Sequence, residues 1–537
     1  MSQAEKSTKQ ILGHPQGLFY LFFAEMWERF SFYGMRGLLT LYLVSELFKD
    51  MADGKEVAYE IYAAYGSLVY FTPAIGGMIA DRLIGHKNSI MLGALLMCIG
   101  HFTMMWEAPW IFYMSLGLLI IGNGFFKPNI SSLVGGLYSE GDVRRDAGFT
   151  IFYLGINIGA FVAPLMCGWL GEKYGWHYGF GAAGFGMAVG MLVFWIGGLQ
   201  GIYGDQGEQP EEYRDKKFGG LNIRYIVYIL SFLFVPVFAF LVQKNQFVVF
   251  GETGLLAFLL QALLVLVLIY ITYVCITSDT VTRNRLIVVC VLTFFVTVFW
   301  AFFEQAGSSL TLFAEEQVDL KFLNAAQTNS INPGYIILLA IPFSMMWNWL
   351  DRKNLNPNTM VKFGLGIIQL GLGFLVFALS ARFMNDAGQV SMIFLMIGYL
   401  FITSGELFLS PIGLSKVTEL SPAKLVSFMM GVWFLSSSFA HFIAGIIAKL
   451  TSGGGGGHGG EAEGAEHAAE GAETAGNALT QYGEMITGSV GDNAAEGVIN
   501  LMNYTGIFAQ IAIVSFVIGM FAIIISPIIK RMMHGIK

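Results

Sequence analysis

Apolar positions fall in long runs separated by short polar stretches. The runs lie near 18–45, 57–80, 89–106, 110–137, 147–170, 179–200, 222–242, 254–276, 286–313, 330–350, 360–380, 390–415, 425–450 and 500–529. A helix of about 20 apolar residues covers the hydrocarbon thickness of a bilayer. In lipid each backbone N–H and C=O must be satisfied inside the segment, which favours helix. The pattern therefore predicts an all-α polytopic protein with about fourteen transmembrane helices. An even number places both termini on one side. The amino terminus and every second loop carry roughly twenty of the Lys and Arg residues, Lys6, Arg82, Arg144, Arg283 and Arg352 among them, against roughly seven on the other side. Both termini are expected to be cytoplasmic, in an inner (plasma) membrane. The polar tail 1–17 is expected to hold no cleavable signal, because the apolar run after it is too long and too charged for one.

The first run breaks the apolar rule. Glu25, Glu28, Arg29, Tyr33 and Arg36 fall on one helical face at 100° per residue. A charge at bilayer depth costs about 2.5–3.5 kcal/mol, so this face must turn to a bundle interior or a watered cavity. A structural ion pair between helices is one reading; four titratable groups on one stripe favour function. Polar groups recur at depth in other runs. Lys127 sits in Gly122-Asn123-Gly124-Phe125-Phe126-Lys127-Pro128-Asn129, where Pro128 frees a carbonyl and kinks the helix. Asn157, Glu304 after Trp300, Asn332-Pro333, Glu406 and Trp433 follow in later runs.

Four acids (Glu25, Glu28, Glu304, Glu406) thus face three bases (Arg29, Arg36, Lys127) in the membrane. That balance permits pairing and leaves one acid to hold a proton. Burial disfavours the carboxylate and an approaching cation favours it, so exchange of a proton for a cation makes a pH-driven gate. Bases suit the carboxylate of a zwitterionic ligand and acids its ammonium. Asn157, Asn332 and Tyr70 suit amide groups between them.

Two halves repeat. The second run ends Ala80-Asp81-Arg82 and the tenth ends Leu350-Asp351-Arg352, each after a run holding a membrane-depth glutamate. Such halves are the signature of a transporter built from repeats. The expected order is a tail (1–17), a six-helix bundle (18–204), a linker with two extra helices (205–283) and a second six-helix bundle (284–537). The extra pair carries no charge at depth and is expected at the periphery. Residues 451–500 form a Gly/Ala/Glu loop, Glu461 to Glu473 included, expected to be flexible, acidic and periplasmic. His458 and His467 within it are too loosely spaced for a metal site.

Composition changes little in this picture. The 537 residues are 55% hydrophobic and 12% charged, where soluble domains average roughly 25% charged. Much of the net charge of −7 comes from the acidic loop. Cys98, Cys167, Cys275 and Cys290 all lie in apolar runs and read as buried hydrophobes. No serine–histidine, cysteine–histidine or metal-spaced set shares one depth, so an enzyme is not expected. Neither are a cofactor, a metal or a nucleic-acid partner.

Glu25-x-x-Glu28-Arg29-Phe30, Gly76-Gly77-x-x-Ala80-Asp81-Arg82, Phe152-Tyr153-x-x-Ile156-Asn157-x-Gly159 and Gly405-Glu406-Leu407 resemble the motifs of the proton-dependent oligopeptide transporters (POT, or PTR) of the major facilitator superfamily. The resemblance implies two six-helix bundles plus two extra helices, and symport of di- and tripeptides with protons by alternating access. It implies proton coupling at Glu25, Glu28, Arg29 and Glu304. Peptide contacts are implied at Arg29, Tyr33, Arg36, Tyr70, Lys127, Asn157, Trp300, Asn332, Glu406 and Trp433. It implies gates at Lys127–Glu406 on the inside and Arg36–Glu304 on the outside. Phe32 stands where many members have tyrosine, and Phe303 where some have a second acid; both bear on substrate range. The partners implied are a peptide, protons and the bilayer, and the protein is expected to work as a monomer. Two alternatives stay open: a carrier of another small zwitterion or anion (an amino acid, nitrate, a peptide-like drug), and a membrane receptor or scaffold.

Overall fold

A computed structural model of the chain describes residues 10–106, 108–139, 142, 144–251, 253–385, 388–422, 425–452 and 496–536. The expectations for tail residues 1–9 and for 453–495, with His458 and His467, fall outside the described residues. The spans begin with α1 (Gln16–Tyr42), α2 (Gly54–Ile79), α3 (His86–Thr103), α4 (Pro109–Gly136), α5 (Arg145–Tyr174), α6 (Trp176–Leu199) and α7 (Ile223–Gln243). They continue with α8 (Leu255–Thr277), α9 (Thr280–Phe303), α10 (Ile331–Arg352), α11 (Thr359–Leu379), α12 (Met392–Leu420), α13 (Val426–Leu450) and α14 (Glu496–Met532). Among the described residues, twelve helices are long and apolar enough to cross a membrane. The other two spans are α1, too charged through Glu25, Glu28 and Arg29, and α3, which opens on His86-Lys87-Asn88. With those two, the fourteen expected helices are accounted for.

Local chemistry sets the breaks. Gly85 (φ +78°) turns α2 into α3, a left-handed conformation that costs a side chain dearly. Asp279, Asn358 and Ser391 cap α9, α11 and α12 by accepting hydrogen bonds from first-turn N–H groups. Pro236 interrupts α7, which bends at Phe234. After Phe303, α9 tightens through Glu304–Gly307 and resumes over Ser309–Gln317. Among the described residues, four short ladders lie in the connections. Three are hairpins: Gln10–Ile11 with His14–Pro15, Lys217–Phe218 with Leu221–Asn222, and Val248–Phe250 with Thr253–Gly254. The fourth is parallel, with Val318 opposite Val390 and Asp319 opposite Ser391.

The chain packs as two units, Met1–Leu39 with Ala64–Phe247, and Thr40–Ala63 with Val248–Lys537. In the first, Leu92 and Leu96 of α3, Leu118, Ile121 and Phe125 of α4, and Val227 and Val235 of α7 bury one another. Backbones of α3 and α4 nearly touch: a Cβ on Gly93 would lie 2.5 Å from the carbonyl oxygen of Gly122. Small residues permit this approach, which is how helices associate where lipid removes the hydrophobic drive. The charged linker is tied down as well. Gln209 Nε2 donates to Leu83 O at 3.0 Å, and Lys87 Nζ donates to Glu208 at 2.7 Å.

In the second unit α11 packs along α12 and α14, and α9 along α13. The extra helices divide, α7 joining the first unit and α8 lying on α9 in the second. Much of α8's apolar surface is open, including Val265, Leu266, Ile269 and Tyr273. The tip of the α1–α2 hairpin, Thr40–Ala63, also belongs to the second unit, whereas the expected first bundle takes in all of 18–204. Counter-ions explain it. Glu316 holds Lys55 Nζ at 2.7 Å and accepts from Tyr504 Oη at 3.2 Å. Lys449 pairs with Glu60, and Thr40 Oγ1 donates to Gly307 O at 2.7 Å.

The Asp-Arg repeat has a structural counterpart. Asp81 lies 3.4 Å from His86 Nε2, five residues on, and Asp351 accepts at 3.2 Å from Asn356, again five residues on. Both acids thus close the turn after their own helix.

Candidate functional site

The first unit gathers the charged stripe of α1. Glycines bring its neighbours close. A Cβ on Gly159 of α5 would lie 2.2 Å from Met26 O, and one on Gly186 of α6 2.4 Å from the Phe30 ring. Held this way, Glu25, Glu28 and Arg29 are all buried. Arg29 Nε pairs with Glu28 Oε2 and lies 3.2 Å from Glu25 Oε1, one turn earlier. Asn123 of α4 donates to Glu28 Oε1 at 3.4 Å. Arg29 Nη2, Glu25 Oε2 and Asn123 Oδ1 are buried and make no hydrogen bond among the described residues. The cluster therefore offers a donor on a cation and an acceptor on an anion. The guanidinium also lies 5.3 Å from the Phe32 ring centroid, so this residue acts through its ring face.

One helical turn beyond Asn123, Lys127 Nζ sits 4.1 Å from the centroid of Tyr70. The local cause is Pro128, which cannot bond to the carbonyl of Gly124. That carbonyl turns to α2, where a Cβ on Gly76 would come within 2.0 Å of it. Thr72 Oγ1 donates across the same contact to Ile120 O at 2.8 Å. Arg36, two turns beyond Arg29, lies 5.8 Å from the Tyr33 centroid. Asn157 is buried and donates to Tyr153 O on its own helix at 3.0 Å.

The second unit carries the remaining acids. Glu406 of α12 accepts from Asn332 of α10 at 3.0 Å, and the same amide reaches Thr403 Oγ1 at 3.0 Å. Glu304 is buried, with Oε2 3.3 Å from His441 Nε2 of α13. Trp300 stacks edge-on to Phe303 at 4.8 Å. Trp433 of α13 packs under Gly413 of α12, where a Cβ would lie 2.3 Å from the indole. Within the two units the structure thus joins Glu25, Glu28 and Arg29, Lys127 and Tyr70, Arg36 and Tyr33, and Asn332 and Glu406. Lys127 and Arg36 belong to the first unit, Glu304 and Glu406 to the second.

Three participants were missed in the sequence: Asn123, Thr403 and His441. Asn123 precedes Lys127 by four residues and Thr403 precedes Glu406 by three, so each shares a helical face with a residue already singled out. His441 lies eight residues after Trp433 and is itself an intramembrane titratable group, a signal that was available.

The model of the POT family matches residues 87–457. The chain is 33% identical to the uncharacterized transporter YclF of Bacillus subtilis (strain 168) over 534 residues, covering 98% of this chain and 97% of YclF. The chain belongs to the POT family. A di-/tripeptide transporter of Lactococcus lactis subsp. lactis (strain IL1403) is 34% identical over 470 residues, 84% of this chain and 92% of that protein. A crystal structure of a POT peptide transporter in complex with sulfate superposes with TM-score 0.76 at 32% identity, covering 98% of each chain. This POT-family chain is accordingly a multi-pass membrane transporter of the major facilitator fold, and not an enzyme.

Proposed function

We propose that this protein imports di- and tripeptides together with protons across the inner membrane, with both termini cytoplasmic, acting as a monomer. The observation that carries the reading is the buried Glu25–Arg29–Glu28 cluster with its unused Arg29 Nη2 and Glu25 Oε2. Buried charges left with open valences disfavour a purely structural role, since such groups cost several kcal/mol unless something completes them. A peptide and a proton complete them. The peptide carboxylate binds Arg29 and Lys127, and its ammonium binds Glu406. Asn157, Asn332 and Tyr70 receive the amide groups, with Tyr33, Trp300 and Trp433 around the side chains. Protons are held by Glu25, Glu28 and Glu304.

In this reading a proton on the α1 carboxylates releases Arg29 to the peptide. The Arg36–Glu304 pair closes the outside, and the Lys127–Glu406 pair opens the inside as the peptide competes for both partners. The test is uptake of a labelled dipeptide into liposomes holding the purified protein. Uptake should rise when the outside is acidified, and uptake indifferent to a proton gradient would refute the proposal. A competition panel of amino acids, nitrate and peptide-like drugs separates peptides from other small zwitterions. Phe32 over Arg29 is the specific feature that narrows the polar lining and makes that panel worth running.

A further inference from the structure

We infer that the β-hairpin ahead of α7, Lys217–Phe218 with Leu221–Asn222, is a binding site for anionic phospholipid headgroups, with its apolar tip set into the leaflet. The inference needs only a chain that crosses the membrane at α7, whatever solute is carried. The hairpin is a built structure. Gly219 (φ +59°) and Gly220 (φ +86°) form its two-residue turn, both in the left-handed region that the twist of a tight hairpin requires. Asn222 fixes its base, donating to Arg214 O at 2.7 Å and accepting from Arg224 N at 2.9 Å as the cap of α7. Ile223 N donates to Lys216 O at 3.2 Å. Phe218 lies opposite Leu221, so the two side chains share one face of the ribbon. That face is uncovered: Phe218 is 79% exposed and Leu221 49%.

Its place and its charges name the occupant. α7 is 21 residues long, about 32 Å at 1.5 Å per residue, against a hydrocarbon core of about 30 Å. With no length to spare, the first residue of α7 stands at the edge of the hydrocarbon. Leu221 is two residues earlier, within about 7 Å of that edge. One side of α7 buries Val227, Ser231 and Val235, while Tyr225, Ile229 and Leu233 stay exposed and face acyl chains. Flanking the tip in sequence are Arg214, Lys216, Lys217 and Arg224, four cations within residues 214–224 against one acid, Asp215. Lys216 Nζ lies 3.7 Å from Glu212, and the Arg224 guanidinium donates to the Tyr225 hydroxyl at 3.1 Å. The Lys216–Glu212 pair is exposed on both sides and weak in water, so a phosphate competes with it readily. Apolar side chains beside a basic cluster, next to a helix that crosses the bilayer, are the combination that recognises an anionic leaflet. A soluble acidic partner answers the charges but not the position at the bilayer edge.

The test uses the full-length protein in nanodiscs of equal parts phosphatidylglycerol and phosphatidylcholine, with one lipid or the other brominated on its acyl chains. Phe218→Trp reports the tip, and the wild type in the same nanodiscs supplies the background of its ten tryptophans. The added emission should be blue-shifted and quenched. Phosphatidylglycerol should be enriched around it by at least about fivefold, the factor expected from one basic residue at an anionic surface. Lys216→Gln with Lys217→Gln on that background should bring the enrichment down to about twofold or less. Both lysines are exposed, so the fold survives their loss. Red, unquenched emission puts the tip in water and overturns the inference. Equal quenching by the two lipids, or an enrichment that the lysine changes leave intact, overturns it as well. Inorganic phosphate that abolishes the enrichment, when chloride at matched ionic strength does not, marks a free-anion site. Polyglutamate that draws the tip out of the lipid marks a protein-binding surface. Either of these two results overturns the assignment to lipid.

Discussion

Glu28→Gln tests the α1 cluster most directly, because the structure allows it to remove charge and little else. Glu28 is fully buried; it accepts from Arg29 on one oxygen and from Asn123 on the other. Glutamine has nearly the same volume and keeps one acceptor for Arg29. Its new N–H₂ group meets Asn123, whose amide can rotate to offer Oδ1, an atom with no hydrogen bond among the described residues. Arg29 retains Glu25 at 3.2 Å. The lost quantity is then the difference between charge-assisted and neutral hydrogen bonds, about 1 kcal/mol for each of two bonds and about 2 kcal/mol in all. This is well short of the about 3–5 kcal/mol of a buried ion pair stripped of one partner. The variant should fold and unfold at a modestly lower temperature. The formal charge of Glu25, Glu28 and Arg29 together goes from −1 to 0, and the cluster loses a proton acceptor. Uptake driven by a proton gradient should fall by roughly tenfold or more, an increase of at least about 1.4 kcal/mol in the barrier, while counterflow of labelled dipeptide persists. Wild-type driven uptake with an unchanged proton ratio would refute coupling at Glu28. Loss of counterflow together with loss of the folded protein would refute the claim that the hydrogen-bond frame survives.

Other outcomes follow from neighbouring features. Gly159→Val should destabilise the protein by about 3 kcal/mol or more, since a Cβ would already lie 2.2 Å from backbone oxygen Met26 O and cannot be relieved by a rotamer change; thermal unfolding in detergent measures it. Glu316→Gln weakens the hold on Lys55 and Tyr504, which are part-exposed or buried partners, and should loosen the α1–α2 tip by about 1 kcal/mol; thiol labelling of a cysteine placed at Lys49 should speed up, and an unchanged rate would count against the latch. Asp142, in the connection between α4 and α5, accepts hydrogen bonds from the Arg144 side chain and backbone, which hold its carboxyl down to about 2. A depressed folded value means that its contribution is complete above the unfolded value of about 3.9 and is lost only as pH falls through about 2. Uptake by Asp142→Asn should therefore trace the wild-type curve between about pH 5 and about pH 8, where the group does not titrate.

The chain by itself determined the number of spans and the place of the chemistry. Lipid offers no partner to a backbone N–H or C=O, so each run of about 20 apolar residues has one regular solution, and the helix periodicity then gathers Glu25, Glu28, Arg29 and Arg36 on one face without reference to any other helix. The Glu25–Arg29 contact is local in this sense, one turn apart on α1. The sequence also carried the family, through motifs spread over nearly the whole length. Tertiary structure decided what lies across from each of these groups. Asn123 meets Glu28 because Gly155 and Gly159 hold α5 against α1 while Pro128 and Gly124 set α4 against α2. Glu304 meets His441 because α9 breaks at Glu304 and packs along α13. The hairpin tip 40–63 belongs to the second unit, where Lys55 and Glu60 find their counter-ions in Glu316 and Lys449. None of these pairings has a period or spacing along the chain. Each is fixed by close packing between elements distant in sequence, and residue order alone does not encode which faces will touch.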